Sequence, residues 1–320
     1  MGGFVETVRG PVPVERLGST LMHEHIFVLN DEYRRSVPEA WDEQRKVDEA
    51  VGRLGALAAS GVSTLVDLTV IGLGRDVARI ARVGERVDLN IVVATGVYTL
   101  GDVPEFLRYH GPGTLLGGPE GMVELFVRDI TSGIGDTGVK AAVLKCAIEG
   151  ELTPAVERVM RATAQAHLRT GAPITVHTSG QAQTGLVAQE VLRSEGVDLG
   201  AVVIGHAGDS NDLDYLRRLA GNGSYLGMDR FGLDVLQPED QRVATIAALA
   251  AEGLAERMVL SHDASCHNDW FPVPTSAFAP NWTHTHLFEQ VIPALRKAGV
   301  TESQITTMMV DNPRRYFSLR

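Results

Sequence analysis

The tightest constraint on what this chain can fold into is an alternation. Short apolar runs bounded by Gly, Asp, Asn or Pro recur along it, and most are followed by a longer segment with helical spacing. Eight runs read as strands: Thr20–His25, Ser63–Leu68, Ile91–Gly96, Ala142–Cys146, Ile174–Thr178, Val202–His206, Ser224–Asp229 and Met258–Asp263. They are rich in Val, Ile and Leu without strict polar alternation, the pattern of strands covered on both faces of a parallel sheet. The helices between them are legible too. Val47, Val51, Leu54 and Ala58 fall on one helical face, with Gly61 where a C-terminal cap belongs. Thr153-Pro154 supplies an N-cap and a first-turn proline, Val156, Met160 and Leu168 are expected to share that helix's stripe, and Gly171 ends it. Eight such units over roughly 245 residues predict an α/β fold, a (β/α)8 barrel, rather than an open doubly wound sheet. An open sheet would more often carry a glycine fingerprint, and Gly72-Leu73-Gly74 is too short to be one.

Composition narrows the function. With 44% hydrophobic and 22% charged residues the chain is average for a globular protein, which excludes disordered and low-complexity classes. No apolar run approaches the roughly 18 residues of a membrane span, and Met1-Gly2-Gly3-Phe4-Val5-Glu6 has no signal-peptide character. A net charge of −11 repels polyanions, so neither nucleic acid nor an anionic membrane is an expected partner. Two cysteines, Cys146 and Cys266, make no disulfide framework, and a cytoplasmic protein is expected. There is no Gly-x-x-x-x-Gly-Lys phosphate loop and no Gly-x-Ser-x-Gly elbow. The segment Ala264–Asn281, with its prolines and with Trp270, Phe271 and Phe278, is expected to be a loop serving as lid or substrate wall.

Histidines carry the chemistry. Of ten, four stand at strand ends: His23 and His25 on the first strand, His177 on the fifth and His206 on the sixth; Asp263 ends the eighth. In a barrel those ends converge on one mouth, so five metal-ligand side chains share a pocket. Residues two apart on a strand point the same way, so His23 and His25 reach one cation while Glu24 faces away. His284 and His286 are the control: read as helical, they stand about 200° apart and cannot chelate one ion, which leaves them to packing or the surface. His110, His167 and His267 have no convergent partner, and His262 is expected to turn away from Asp263 and play a supporting part. Lys145 ends an apolar run on the fourth strand. Burial and neighbouring cations depress an amine's pKa. Neutral, it can take up carbon dioxide, and the resulting carbamate can bridge a metal pair about 3.5 to 4 Å apart.

His23-Glu24-His25, Lys145, His177, Ile204-Gly-His206 and Ser261-His-Asp263, in this order, resemble the phosphotriesterase branch of the amidohydrolase superfamily. Thr20-Leu-Met-His-Glu-His25, Val66-Asp-Leu-Thr69, Tyr225-Leu-Gly-Met-Asp-Arg230 and Asp311-Asn-Pro-Arg-Arg315 extend the likeness over nearly the whole chain, and within that branch to the phosphotriesterase-like lactonases. The resemblance implies one barrel domain over residues 1–320. It implies that His23, His25 and Asp263 hold one divalent metal and His177 and His206 a second, with N6-carboxylated Lys145 and a hydroxide bridging them. Carbon dioxide is then needed for the modification. Zinc is the first expectation, though imidazole and carboxylate ligands suit iron, cobalt and manganese equally. By the same resemblance the net positive site stabilises an oxyanion, Asp263 takes up the proton of the attacking hydroxide and passes it to the leaving alkoxide, and Tyr98 and Arg230 contact the ester. Trp270 and Phe271 would line the acyl channel, and a homodimer is implied.

The expected activity is hydrolysis of N-acyl homoserine lactones and related acyl lactones, a quorum-quenching chemistry, with promiscuous phosphotriesterase activity. A dedicated phosphotriesterase, a carboxylesterase or a cyclic amidase would use the same site; a barrel that binds metal or ligand without turnover is the rival from another class. A one-metal deaminase is disfavoured by Lys145. The run Thr178-Ser-Gly-Gln-Ala-Gln-Thr184 and Ser265, where many lactonases have cysteine, depart from the family pattern and bear on pocket shape.

Overall fold

The computed structural model describes residues 3–38, 41–271 and 273–318. Its strands are β1 (Phe4–Thr7), β2 (Gly10–Pro13), β3 (Thr20–Val28), β4 (Thr64–Asp67), β5 (Asn90–Gly96), β6 (Val143–Ile148), β7 (Ile174–Thr178), β8 (Val202–Gly205), β9 (Tyr225–Met228), β10 (Met258–Leu260) and β11 (Ser265–Asn268). All eight runs expected to be strands form strands, parallel and in sequential order from β3 to β10, with helices packed around them. This is the (β/α)8 barrel that the alternation predicts.

The eighth strand, however, is broken. Its first half, β10, pairs with β9, while a second half, β11, pairs with β3 inside the segment expected to be a loop. Residues 261–264 between them close the ring through hydrogen bonds to β3. The His23 amide donates to Ser261 Oγ, the Asp263 amide to the His23 carbonyl and the His25 amide to the Ala264 carbonyl, at 2.9, 3.0 and 2.9 Å. Asp263 therefore lies past the strand rather than on it. No apolar run announces β11, because Ser265-Cys-His-Asn268 is mostly polar and gains its strand geometry from pairing with β3.

Two cores result. One fills the space between strands and helices; the other, inside the barrel, includes Met22, Val66, Val92, Val143, Val203 and Val259. The β1–β2 hairpin and the segment after it plug the barrel's lower end with Val5, Val14 and Leu17. Pro11 and Pro13 hide this hairpin from a strand search; both are tolerated because a two-stranded ribbon leaves them on an edge. The helix Glu43–Ala59 buries Val47 and Leu54 as expected, with Val51 and Ala58 half-buried at the edge of the stripe and Gly61 in the left-handed region. Thr153 and Gly171 cap the helix Pro154–Thr170, which buries Val156 and Met160, but Leu168 is 54% exposed. Twelve residues past Val156 the helix has turned to a direction about 120° away. Among the described residues, no helix is long and apolar enough to cross a membrane.

Candidate active site

His23 and His25 leave β3 on the same side, as their spacing requires, and both are buried. Each ring is held through Nδ1: His23 by Asp229 Oδ2 and His25 by Thr69 Oγ1, both at 2.8 Å. Thr69 is itself placed by Asp67, whose carboxylate accepts from the Thr69 and Ile26 amides. The other oxygen of Asp229 accepts from the backbone amide and Nδ1 of His206, at 2.8 and 2.9 Å. One carboxylate thus orients two imidazoles from different strands. Its approach depends on glycine, since a Cβ at Gly227 would lie 2.5 Å from Asp229 Oδ2 and 3.0 Å from the Gly205 Cα. His206 and Asp263 both hold left-handed backbone, φ 62° and 56°, a conformation that costs non-glycine residues roughly 1–3 kcal/mol and concentrates at functional sites.

Glu24 faces the opposite way, into a polar knot. Its carboxylate accepts from Ser261 Oγ, the amides of His262 and Ala264, and His262 Nδ1. His262 in turn accepts the Leu287 amide at Nε2, so its neutral tautomer is fixed and it faces away from the mouth. His284 and His286 lie in and just after a turn rather than two apart within one helix, and both are buried. His284 Nε2 donates to the His25 carbonyl, and His286 pairs with Glu239. His267 also has a partner after all, donating from Nε2 to the Lys46 carbonyl and stacking on Phe27.

The remaining faces of the imidazoles converge. His23 Nε2 and His25 Nε2 lie 3.4 and 3.2 Å from Asp263 Oδ1. His206 Nε2 lies 3.8 Å from Asp263 Oδ2 and 2.9 Å from His177 Nδ1, and Lys145 Nζ lies 3.0 Å from His23 Nε2. Ligands about 2.0–2.2 Å from a shared cation stand about 2.8–3.6 Å from one another at angles of about 90° to 110°, so His23, His25 and Asp263 fit one metal as they stand, and His177 with His206 present a second pair of donors. His23, His206 and Asp229 also cluster, but Asp229 faces the Nδ1 atoms and acts as their acceptor, not as a ligand.

Electrostatics agree with that fit. Burial lowers the pKa of His23 and His206, and takes His177 down to about 4, so the rings are neutral, the form that binds metal. Burial opposes ionisation of Asp263, but His23, His206 and Arg230 around it hold its carboxyl well below the usual range. Lys145 is 1% exposed, and burial brings its ammonium down to about 8, within reach of the neutral amine.

Tyr98 and Arg230 stand over this cluster. Tyr98 packs edge-on against His177, and burial with Asp263 nearby raises its phenol, which stays a donor. Arg230 bridges Asp263 and Asp209, donating to each at 2.9 Å; the two carboxylates outweigh burial and raise its pKa. Arg242, buried, reaches the other Asp209 oxygen at 2.7 Å. A cavity of about 150 Å³ above the donors is lined by Tyr98, Arg230, Trp270, Phe271 and Trp282. Phe278 packs behind Phe271 and does not line it. A larger chamber of about 550 Å³ beneath the loop shares Ser265, Asn268, Phe271 and Trp282 with it.

The sequence alone assigns no role to Asp229, Thr69, Glu149, Asp209 or Trp282. Asp229 had a signal, an acid at a strand end in Gly-Met-Asp-Arg, among three other strands whose ends carry histidines. Thr69, Glu149 and Asp209 lie just beyond strand ends, where polar residues are ordinary, and Trp282 lies in the connection after the loop segment.

A barrel with imidazoles and carboxylates converging at the C-terminal ends of its strands, on a donor set suited to divalent metal, has the architecture of a metal-dependent hydrolase. The sequence matches the phosphotriesterase family over residues 3–317, and the chain belongs to that family, one of binuclear metal enzymes. It is 56% identical over 318 residues to a phosphotriesterase homology protein of Mycobacterium tuberculosis, covering 98% of this chain and 97% of that one. An aryldialkylphosphatase of Saccharolobus solfataricus is 37% identical over 306 residues, 94% of this chain and 95% of its own. The solved structure of the phosphotriesterase from Mycobacterium tuberculosis superposes with a TM-score of 0.97 at 55% identity, covering 98% of both chains.

Proposed function

We propose that this metal-dependent hydrolase is a binuclear lactonase that opens N-acyl homoserine lactones and related acyl lactones, with weaker phosphotriesterase activity. The observation that carries the proposal is the pairing of a protonated Tyr98 and a charged Arg230 with an aromatic wall, Trp270, Phe271 and Trp282, above the donor cluster. A lactone needs hydrogen-bond donors at its ester and apolar cover for its acyl chain, and the chamber beneath the loop has room for a long chain. His23, His25 and Asp263 would hold one cation, His177 and His206 the other, and carboxylated Lys145 would bridge. Zinc is the first choice of metal. Bound there, the cations supply Lewis-acid polarisation and a water acidic enough to react near neutral pH. Asp263 accepts the proton of the attacking water and returns it to the leaving oxygen, while Arg230 keeps that carboxylate oriented. Tyr98 donates to the ester oxygen as it gains charge. The enzyme is taken to act in the cytoplasm as a homodimer on a small-molecule substrate.

The name of the Saccharolobus relative favours a second reading, aryl dialkyl phosphates as the main substrate. The test is proton release from a long-chain N-acyl homoserine lactone and from an aryl dialkyl phosphate, comparing metal-stripped protein with protein reloaded with zinc and bicarbonate. Lactone turnover that returns on reloading and exceeds phosphotriester turnover is expected. Turnover of the phosphate alone would replace the lactonase assignment with the second reading.

A further inference from the structure

Three of the four clustered imidazoles are held in one way and the fourth in another. His23, His25 and His206 are gripped at Nδ1 from inside the barrel, by Asp229, Thr69 and Asp229 respectively, and turn Nε2 to the centre. His177 is reversed. Its Nδ1 faces the centre, 2.9 Å from His206 Nε2, and its Nε2 points outward to Glu149 Oε2 at 2.5 Å. Glu149 directly follows β6, the strand that carries Lys145, so one strand delivers both groups. The His177 ring is buried while the Glu149 side chain is 48% exposed.

An imidazole can present only one nitrogen lone pair when its other nitrogen is protonated, and the acceptor at the second nitrogen selects which. We propose that Glu149 is the positioning residue for the second cation: by accepting the Nε2 hydrogen of His177 it fixes the tautomer that leaves the Nδ1 lone pair on the His206 side. The first cation's two imidazoles need no such help from the rim, since Asp229 and Thr69, which support them, are buried within the barrel. Glu149 therefore acts on one of the two sites only. The substitution should be tolerated by the fold, because a half-exposed carboxylate with a single hydrogen-bond partner carries little of the packing.

This rests on the metal-centre reading above, and the experiment separates the two. The metal-free full-length chain, the variants Glu149→Ala and Glu149→Gln, and His177→Ala as benchmark are titrated with Co²⁺ in bicarbonate buffer, followed calorimetrically and by the visible absorbance of the bound ion. The unsubstituted chain should bind two ions. Glu149→Ala should weaken one step by about 10- to 100-fold, the step that His177→Ala abolishes, and leave the other within a factor of about two. Glu149→Gln, whose amide oxygen accepts the same hydrogen, should restore most of the affinity. Undiminished two-step binding by Glu149→Ala, or Glu149→Gln as weak as Glu149→Ala, overturns the proposal. An unsubstituted chain that takes up no Co²⁺ overturns the metal-centre reading itself, whatever the variants do.

Discussion

The two halves of the donor cluster are built to different standards of enclosure. On the β3 side every support is buried: Asp229 and Thr69 hold the rings, and Asp67 holds Thr69 from below. On the β7 side His206 shares Asp229, but His177 leans on a half-exposed carboxylate and on the edge of Tyr98. A buried support costs desolvation yet holds its ring without competition from water; a rim support is cheaper and looser. The half supported from the rim is also the half under Tyr98, where substrate would arrive in the proposed reaction. Rigidity and access are thereby divided between neighbouring sites.

The difference can be broken most severely at the one residue that spans it. Asp229→Asn leaves a single acceptor oxygen for two ring hydrogens, so both cation sites should suffer, with metal affinity down by on the order of 100-fold and hydrolysis reduced at least as much. Elemental analysis after dialysis, with turnover, measures it; intact loading would show that the rings are held by other means.

Next in size is the pH response of the metal-free chain. Unfolded histidines titrate near 6.5, whereas burial keeps folded His23 and His206 below that and His177 at about 4. Between these limits the unfolded chain binds more protons, so stability is full above about pH 6.5 and falls as the pH drops toward 4, with His177 alone contributing up to about 3 kcal/mol. Thermal melts across pH 7.5 to 4.5 should show a falling Tm; a flat profile would mean the rings are not excluded from solvent as their burial indicates.

Smaller effects sharpen the comparison on the substrate side. Tyr98→Phe should lower kcat by about 10-fold with little change in metal content, since it removes one donor and keeps the ring against His177. Steady-state kinetics on a soluble lactone, with metal analysis, decides this. Trp270→Ala should raise KM for long-chain lactones by about 5-fold and leave short-chain ones unchanged, because this side chain is 46% exposed and only half its surface is at stake. A series of chain lengths provides the measurement.

The barrel was legible because its strands are apolar and its helices capped, and the donor set because histidine is conspicuous at the end of an apolar run. What stayed hidden obeyed other rules. The β1–β2 hairpin is masked by its prolines, and β11 has no hydrophobic signal because it borrows its geometry from β3. Glu149 and Asp209 are acids just beyond strand ends, one in a bend and one closing a short 3-10 helix, indistinguishable in sequence from solvated ones; only the folded chain shows which ring or guanidinium each one meets. His284 and His286 pack inward on separate partners, the His25 carbonyl and Glu239, as a pair that shares no cation should, although a turn and not one helix sets them apart.

The segment over the mouth is anchored at both ends to main-chain atoms. It leaves through β11, zipped to β3, and returns through Trp282, whose indole donates to the His262 carbonyl, and His284, whose ring donates to the His25 carbonyl. Between those two fastenings the proposed wall residues Trp270 and Phe271 can be exchanged without disturbing the histidines and Asp263 beneath them. The chain thus carries an interchangeable cassette on a fixed chassis, so new substrate preferences are reachable by small sequence steps while the reactive centre is inherited whole.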